Sequence, residues 1–253
     1  MWDRVELKSL AKQSLKDNYW QAFLIGLVLA LVSGSGGGSS SGGSGNKTSE
    51  YISRNPEMVI IVLAILILAL AFRLLLGYSL EIGARRYFAN LAQFKKIKGY
   101  FSFAFDAANY KGIIFTMLLR DIFSILWTLL FIIPGIIKGY SYRMVPYILA
   151  DNPNIGAENA ITLSRKMMDG HKASAFVLDL SFLGWYLLGI LAFVVGIFFV
   201  YPYFYATEAQ LYLVLRKNAL EAQYCTYEDL NLKREFNGFD DYYNDDYNRR
   251  DDF

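Results

Sequence analysis

Residues 58–72 contain no polar side chain, and residues 173–200 carry a single charge, Asp179. A bilayer core takes about 20 mostly apolar residues per helix, and only helices and closed barrels satisfy their backbone polar groups inside it. A chain of 253 residues could not easily bury so many long apolar runs in a water-soluble core. The pattern predicts an all-α fold, a polytopic transmembrane helix bundle with about six spans and amphipathic interfacial helices. The hydrophobic share of 55% and charged share of 19% agree with that class.

Residues 1–18 form an amphipathic N-terminal helix. Leu7, Leu10, Ala11, Ser14 and Leu15 share one face, while Arg4, Lys8, Lys12 and Lys16 recur every fourth residue on another. That spacing suits a helix at the headgroups of an anionic leaflet, or an ordinary solvated helix end. Residues 19–217 make the bundle, with spans expected at 19–32, 58–80, 113–133, 136–150, 173–200 and 203–215. The first lacks a convincing cleavage pattern and reads as retained rather than as a signal peptide. Residues 33–57 form an external loop whose first part, 33–45, is only Gly and Ser and buries nothing. Asn46-Lys47-Thr48 matches a glycosylation acceptor, relevant only in a eukaryotic secretory pathway.

Segments 81–112 and 151–172 read as cytoplasmic and interfacial. The first interleaves Arg85, Arg86, Lys95, Lys96, Lys98 and Lys111 with Tyr87, Phe88, Phe94, Tyr100 and Phe101. Such interleaving can bind RNA, but beside apolar spans it marks the membrane–water boundary. Pro134-Gly135 is expected to end the third span. Lys138, Arg143 and Pro146 leave 136–150 between a full span and a re-entrant or interfacial helix. Pro202 is expected to break the fifth span, and residues 218–253 to form a polar, acidic tail without packed structure. Placing both termini in the cytoplasm puts 19 of the 25 basic residues inside, as the positive-inside rule requires.

Two stretches carry a resemblance. They are Pro134-Gly135-Ile136-Ile137 with Tyr140-Ser141-Tyr142 and Ala150-Asp151-Asn152-Pro153, and Ala160 through Ser164-Arg165-Lys166-Met167-Met168-Asp169-Gly170. A third is more specific: Leu178-Asp179-Leu180-Ser181-Phe182-Leu183-Gly184-Trp185, followed by Tyr201-Pro202-Tyr203. Together they resemble the DUF975 membrane proteins found mainly in Gram-positive bacteria. More weakly, the chain is similar to the membrane domain fused to some glycerophosphodiester phosphodiesterases, without their catalytic domain. The resemblance implies a bundle in a bacterial plasma membrane and no particular activity.

Five charges interrupt the expected spans other than 136–150: Arg73, Arg120, Asp121, Asp179 and Glu208. A charge at mid-bilayer costs about 2.5–3.5 kcal/mol on insertion scales, so such residues pair, face the bundle interior or line wet cavities. They are expected to form one polar cluster in the cytoplasmic half, with Arg73 or Arg120 paired to Asp121, Asp179 or Glu208. The cluster would serve as a structural lock or a ligand site, with Ser181 and Trp185 as neighbours. Snorkelling of Arg73 to the headgroups is the alternative for that residue.

One His (His171) and one Cys (Cys225) leave no metal-site spacing and no intramolecular disulfide. No P-loop, dinucleotide fingerprint or nucleophile elbow is present, so neither a cofactor nor a catalytic constellation is expected. The net charge of +2, scattered along the chain, argues against a nucleic-acid partner. The expected partners are the bilayer and anionic headgroups at the basic surface. Three functions are compatible: a non-enzymatic protein organising lipids or partners, a small permease or exporter using the charged cluster, and a membrane enzyme acting on a lipid headgroup.

Overall fold

The computed structural model describes residues 2–33, 56–95, 98–191 and 196–233. Most of the Gly/Ser loop, the Asn46-Lys47-Thr48 motif, Lys96 and the acidic end of the tail lie outside these residues. The described residues form only helices: α1 Arg4–Leu15, α2 Tyr19–Val32, α3 Pro56–Phe72, a π turn Arg73–Gly77, α4 Tyr78–Ala92, α5 Tyr100–Phe105, α6 Ala107–Leu130, α7 Ile132–Ser141, α8 Val145–Asp151, α9 Ala157–Met167, α10 Lys172–Leu180, α11 Leu183–Leu191 and α12 Gly196–Glu221.

Among the described residues, three helical stretches are long and apolar enough to cross a membrane: Val59–Ala92, Ala107–Leu130 and Lys172–Leu191; Tyr19–Val32 is apolar but shorter. At 34 residues, Val59–Ala92 is about 51 Å long against a hydrocarbon core of about 30 Å. The helix divides accordingly. Ile60 is 70% exposed and Leu68 72%, whereas Ile82 and Phe88 are fully buried. The π turn at Arg73–Gly77 marks the change. Residues 81–92 are therefore the core-forming half of one long helix and not an interfacial surface segment.

α12 is the central element. Tyr205, Ala206, Ala209, Leu211, Tyr212 and Leu215 are all buried along it. Tyr147 of the fully packed α8 stacks on Tyr212 with ring centroids 5.0 Å apart. Beyond that stack, Asp151 accepts from Tyr212 Oη at 2.6 Å and from Arg216 Nη1 at 2.9 Å, tying α8 to the end of α12. The apolar face of α1 (Leu7, Ala11, Ser14, Leu15) is buried within the bundle and is not a free surface stripe. α9 buries Ala157, Ala160, Ile161, Leu163, Ser164 and Met167, and Gly170 beyond it takes a left-handed φ of 73°. His171 is half-buried, with its ring beside that of Trp2.

Proline positions depart most from expectation. α6 ends at Leu130, before Pro134, where Phe131 becomes extended (φ −156°, ψ 138°). Pro134 falls in the first turn of α7, where a missing N–H leaves no helical bond unmade. The α6–α7 hairpin closes around Gly135, whose added Cβ would lie 2.6 Å from Thr128 Oγ1 and 2.7 Å from Thr128 Cα. The expected helix 136–150 is two helices, α7 and α8, separated by a turn at Tyr142–Met144. Pro202 does not break a span; it lies inside the 26-residue α12, with Gly26 of α2 against its backbone. The expected fifth span is not one helix: it comprises α10 and α11, with a turn at Ser181-Phe182, and the start of α12 from Gly196.

Candidate functional site: a paired charge network

The charges expected in the spans converge on two linked networks. In the first, Asp121 of α6 receives Arg73 Nη2 at 3.0 Å, Tyr78 Oη at 2.9 Å and Arg120 Nη2 at 2.7 Å. Arg73 also donates to the carbonyl of Val32 at 2.8 Å, closing the open end of α2. Arg120 reaches Glu81 Oε1 of α4 at 3.6 Å. Arg73 is thus a helix-joining residue in the bundle.

In the second network, Arg143 sits in the turn between α7 and α8. Its Nη1 and Nη2 hold both oxygens of Asp179 in α10 at 2.8 and 2.9 Å, and its Nε reaches Glu208 Oε1 in α12 at 2.9 Å. Tyr140 donates to Asp179 Oδ2 at 2.8 Å. The other oxygen of Glu208 pairs with Arg85 of α4, which also donates to Tyr147 Oη at 3.1 Å. Planar guanidinium forks suit such shared carboxylates, because two parallel bonds fix orientation as well as distance.

The pairing agrees with expectation at Asp121 and differs at Asp179 and Glu208. Arg73 and Arg120 both serve Asp121, while Asp179 and Glu208 take Arg143 and Arg85. Arg143, Arg85 and Glu81 are the members that sequence reasoning left out. The sequence places Arg85 and Glu81 in an interfacial segment, and Arg143 in 136–150 weighs there against a full span. One signal was available: Glu81 and Arg85 lie four residues apart, so both project from one helix face. Ser181 and Trp185 take other roles. Ser181 Oγ bonds back to Leu178 O and its carbonyl accepts from Lys8 Nζ at 3.2 Å, while Trp185 packs edge-on against Tyr203. Lys8 also covers the Phe182 ring at 4.2 Å; burial, then Arg4 and Lys12, holds its ammonium pKa below the ordinary value.

The two networks border one cavity of about 320 Å³, lined among others by Glu81, Arg85, Arg120, Asp121, Arg143 and Glu208. Four guanidiniums (Arg73, Arg85, Arg120, Arg143) face four carboxylates (Glu81, Asp121, Asp179, Glu208), so the assembly is neutral as a unit. Two atoms in the cavity wall, Glu81 Oε2 and Arg85 Nε, are buried without a hydrogen-bond partner among the described residues. Such an arrangement can hold helices together and can accommodate water or a small polar group. Among the described residues no cluster of three His, Cys, Asp or Glu could hold a metal ion.

No curated protein and no solved structure matches this chain. A family model described as "Protein of unknown function (DUF975)" matches residues 58–219, the stretch that contributes every member of both networks. The chain belongs to the DUF975 family.

Proposed function

We propose that this is a multi-pass membrane protein of a bacterial plasma membrane, with a non-enzymatic role in organising lipids or partner proteins. The paired network would act as its internal lock. The observation that carries this reading is that each of the four carboxylates has a guanidinium within 3.6 Å or closer, and each of these pairs but one joins different helices. Charges so matched are tolerated in a bilayer. Broad exposed faces on α3, the end of α6, α7 and α11 supply apolar surface of the kind lipid covers, with Leu129, Ile132, Ile133 and Leu191 more than 70% exposed.

The topology we favour keeps about six passes, both termini cytoplasmic. The three long helices cross in full, with α2, α7 and the start of α12 as shorter legs. Membrane residence is tested by alkaline carbonate washing of membranes from an expressing strain. The protein should stay in the pellet, and release into the wash would overturn the reading.

A second reading, a small permease or exporter, is favoured by the polar cavity beside Glu208 and Arg143. A strain lacking the gene, complemented with Asp179→Asn/Glu208→Gln, separates the two. Loss of the folded, inserted protein itself, with normal export from whatever fraction remains, supports the lock. Loss of solute export with unchanged protein level supports transport.

A further inference from the structure

A second cleft, on the opposite side of α4 from the charge network, has no role in that lock. It encloses about 930 Å³ between the start of α2, the end of α4 and α5. Its polar lining is Asn18, Gln21, Asn90, Lys95, Lys98 and Ser102; Leu91, Phe101 and the rings of Tyr87 and Tyr100 supply apolar wall. Among the described residues, no carboxylate contributes to the lining. That volume lies within the usual range of ligand pockets, which combine mostly apolar walls with a few placed polar groups.

Three further features point to the occupant. The hydroxyl of Tyr87 is buried and has no hydrogen-bond partner among the described residues. The lysines are not needed to cap α4, since Asn90 O already accepts from Gln93 N and Lys95 N, and Leu91 O from Phe94 N. Lys95 spends one N–H on Gln93 Oε1 at 3.0 Å and keeps two. Beside the cleft, Phe94 occupies a left-handed position (φ 56°) at the end of α4, where glycine is preferred, and leaves its ring 59% exposed. Trp20, next to Gln21, is 70% exposed. Exposed aromatic rings flanking a basic cleft are what a bilayer interface selects.

We infer that this cleft binds the phosphate-bearing headgroup of an anionic phospholipid, with Lys95 and Lys98 on the phosphate, Gln21, Asn90 and the Tyr87 hydroxyl on the glycerol or headgroup hydroxyls, and the acyl chain leaving along Phe101. This rests on the reading that the chain resides in a bilayer, and it names the lipid surface that reading implies.

The test uses the full chain in neutral detergent, titrated with phosphatidylglycerol, with phosphatidylcholine of the same acyl chains and with inorganic phosphate. Bound lipid is counted by native mass spectrometry. Phosphatidylglycerol should be retained preferentially, and Lys95→Ala/Lys98→Ala should lower its binding by about fivefold per lysine, with a smaller change for phosphatidylcholine, whose choline cation offsets the phosphate charge. Tyr87→Phe should also lower retention with no loss of thermal stability, a result that a purely packing role for Tyr87 would not give. Equal binding of the two lipids, or a preference that survives the double lysine variant, overturns the proposal. Full displacement by millimolar phosphate also overturns it, by assigning the cleft to the free anion. None of these failures would affect carbonate resistance, which tests membrane residence separately.

Discussion

Arg143 grips Asp179 through both carboxylate oxygens, Nη1 to Oδ2 at 2.8 Å and Nη2 to Oδ1 at 2.9 Å, while its Nε holds Glu208. One side chain in a turn thereby fixes two helices that are remote in sequence. Removing one partner of a buried pair leaves a charge uncompensated, which costs more than the pair itself contributes.

Glu208→Gln should therefore destabilise more than Asp179→Asn. Glu208 is shared by two arginines and its side chain is only 5% exposed, against 28% for Asp179. The expected losses are about 3–5 kcal/mol for Glu208→Gln and about 1–3 kcal/mol for Asp179→Asn, the latter reduced by solvent screening. Thermal unfolding in one detergent gives the order, and the reverse order would contradict the network described.

The Arg73–Asp121 pair should be weaker. Asp121 keeps Arg120 and Tyr78 when Arg73 is lost, and Arg73 is one-third exposed. A double-mutant cycle of Arg73→Gln with Asp121→Asn should give a coupling of about 1 kcal/mol or less. The cycle of Arg143→Gln with Glu208→Gln should exceed it.

The α6–α7 hairpin depends on a close approach. Gly135→Ala would drive a Cβ into the backbone of Thr128 and should cost about 1–3 kcal/mol. Gly139→Ala, four residues on in the same helix, meets nothing within 4 Å and should be neutral or stabilising by up to about 1 kcal/mol. Unfolding midpoints of the two variants, side by side, check this.

Cys225 should resist alkylation. Burial, then the neighbouring Asp229, pushes its thiol up to about 11 from 9.0. The thiolate is the reactive species, so at pH 8 labelling should be about 100-fold slower in the folded protein than in the unfolded chain. The rate should climb as pH approaches 11, and fast labelling at pH 8 without unfolding would refute the burial.

Much of this was legible before any coordinates. The uninterrupted apolar run 58–72 dictates a helix that water cannot solvate, because no polar side chain offers a solvated face. The face of α9 follows from its 3.6-residue spacing, and the convergence of Arg73, Arg120, Asp121, Asp179 and Glu208 from the cost of leaving any of them alone in hydrocarbon. What only the tertiary structure decided is which charge meets which, and where the long apolar stretches bend. Arg143 finds Asp179 and Glu208 because a turn at Tyr142–Met144 points it between α10 and α12. Pro202 continues its helix, and Phe131 rather than Pro134 ends α6. A proline limits only its own φ and one hydrogen bond, so its neighbours' packing determines whether a helix stops there. Ion pairing between helices depends on positions in space that no local spacing along the chain encodes.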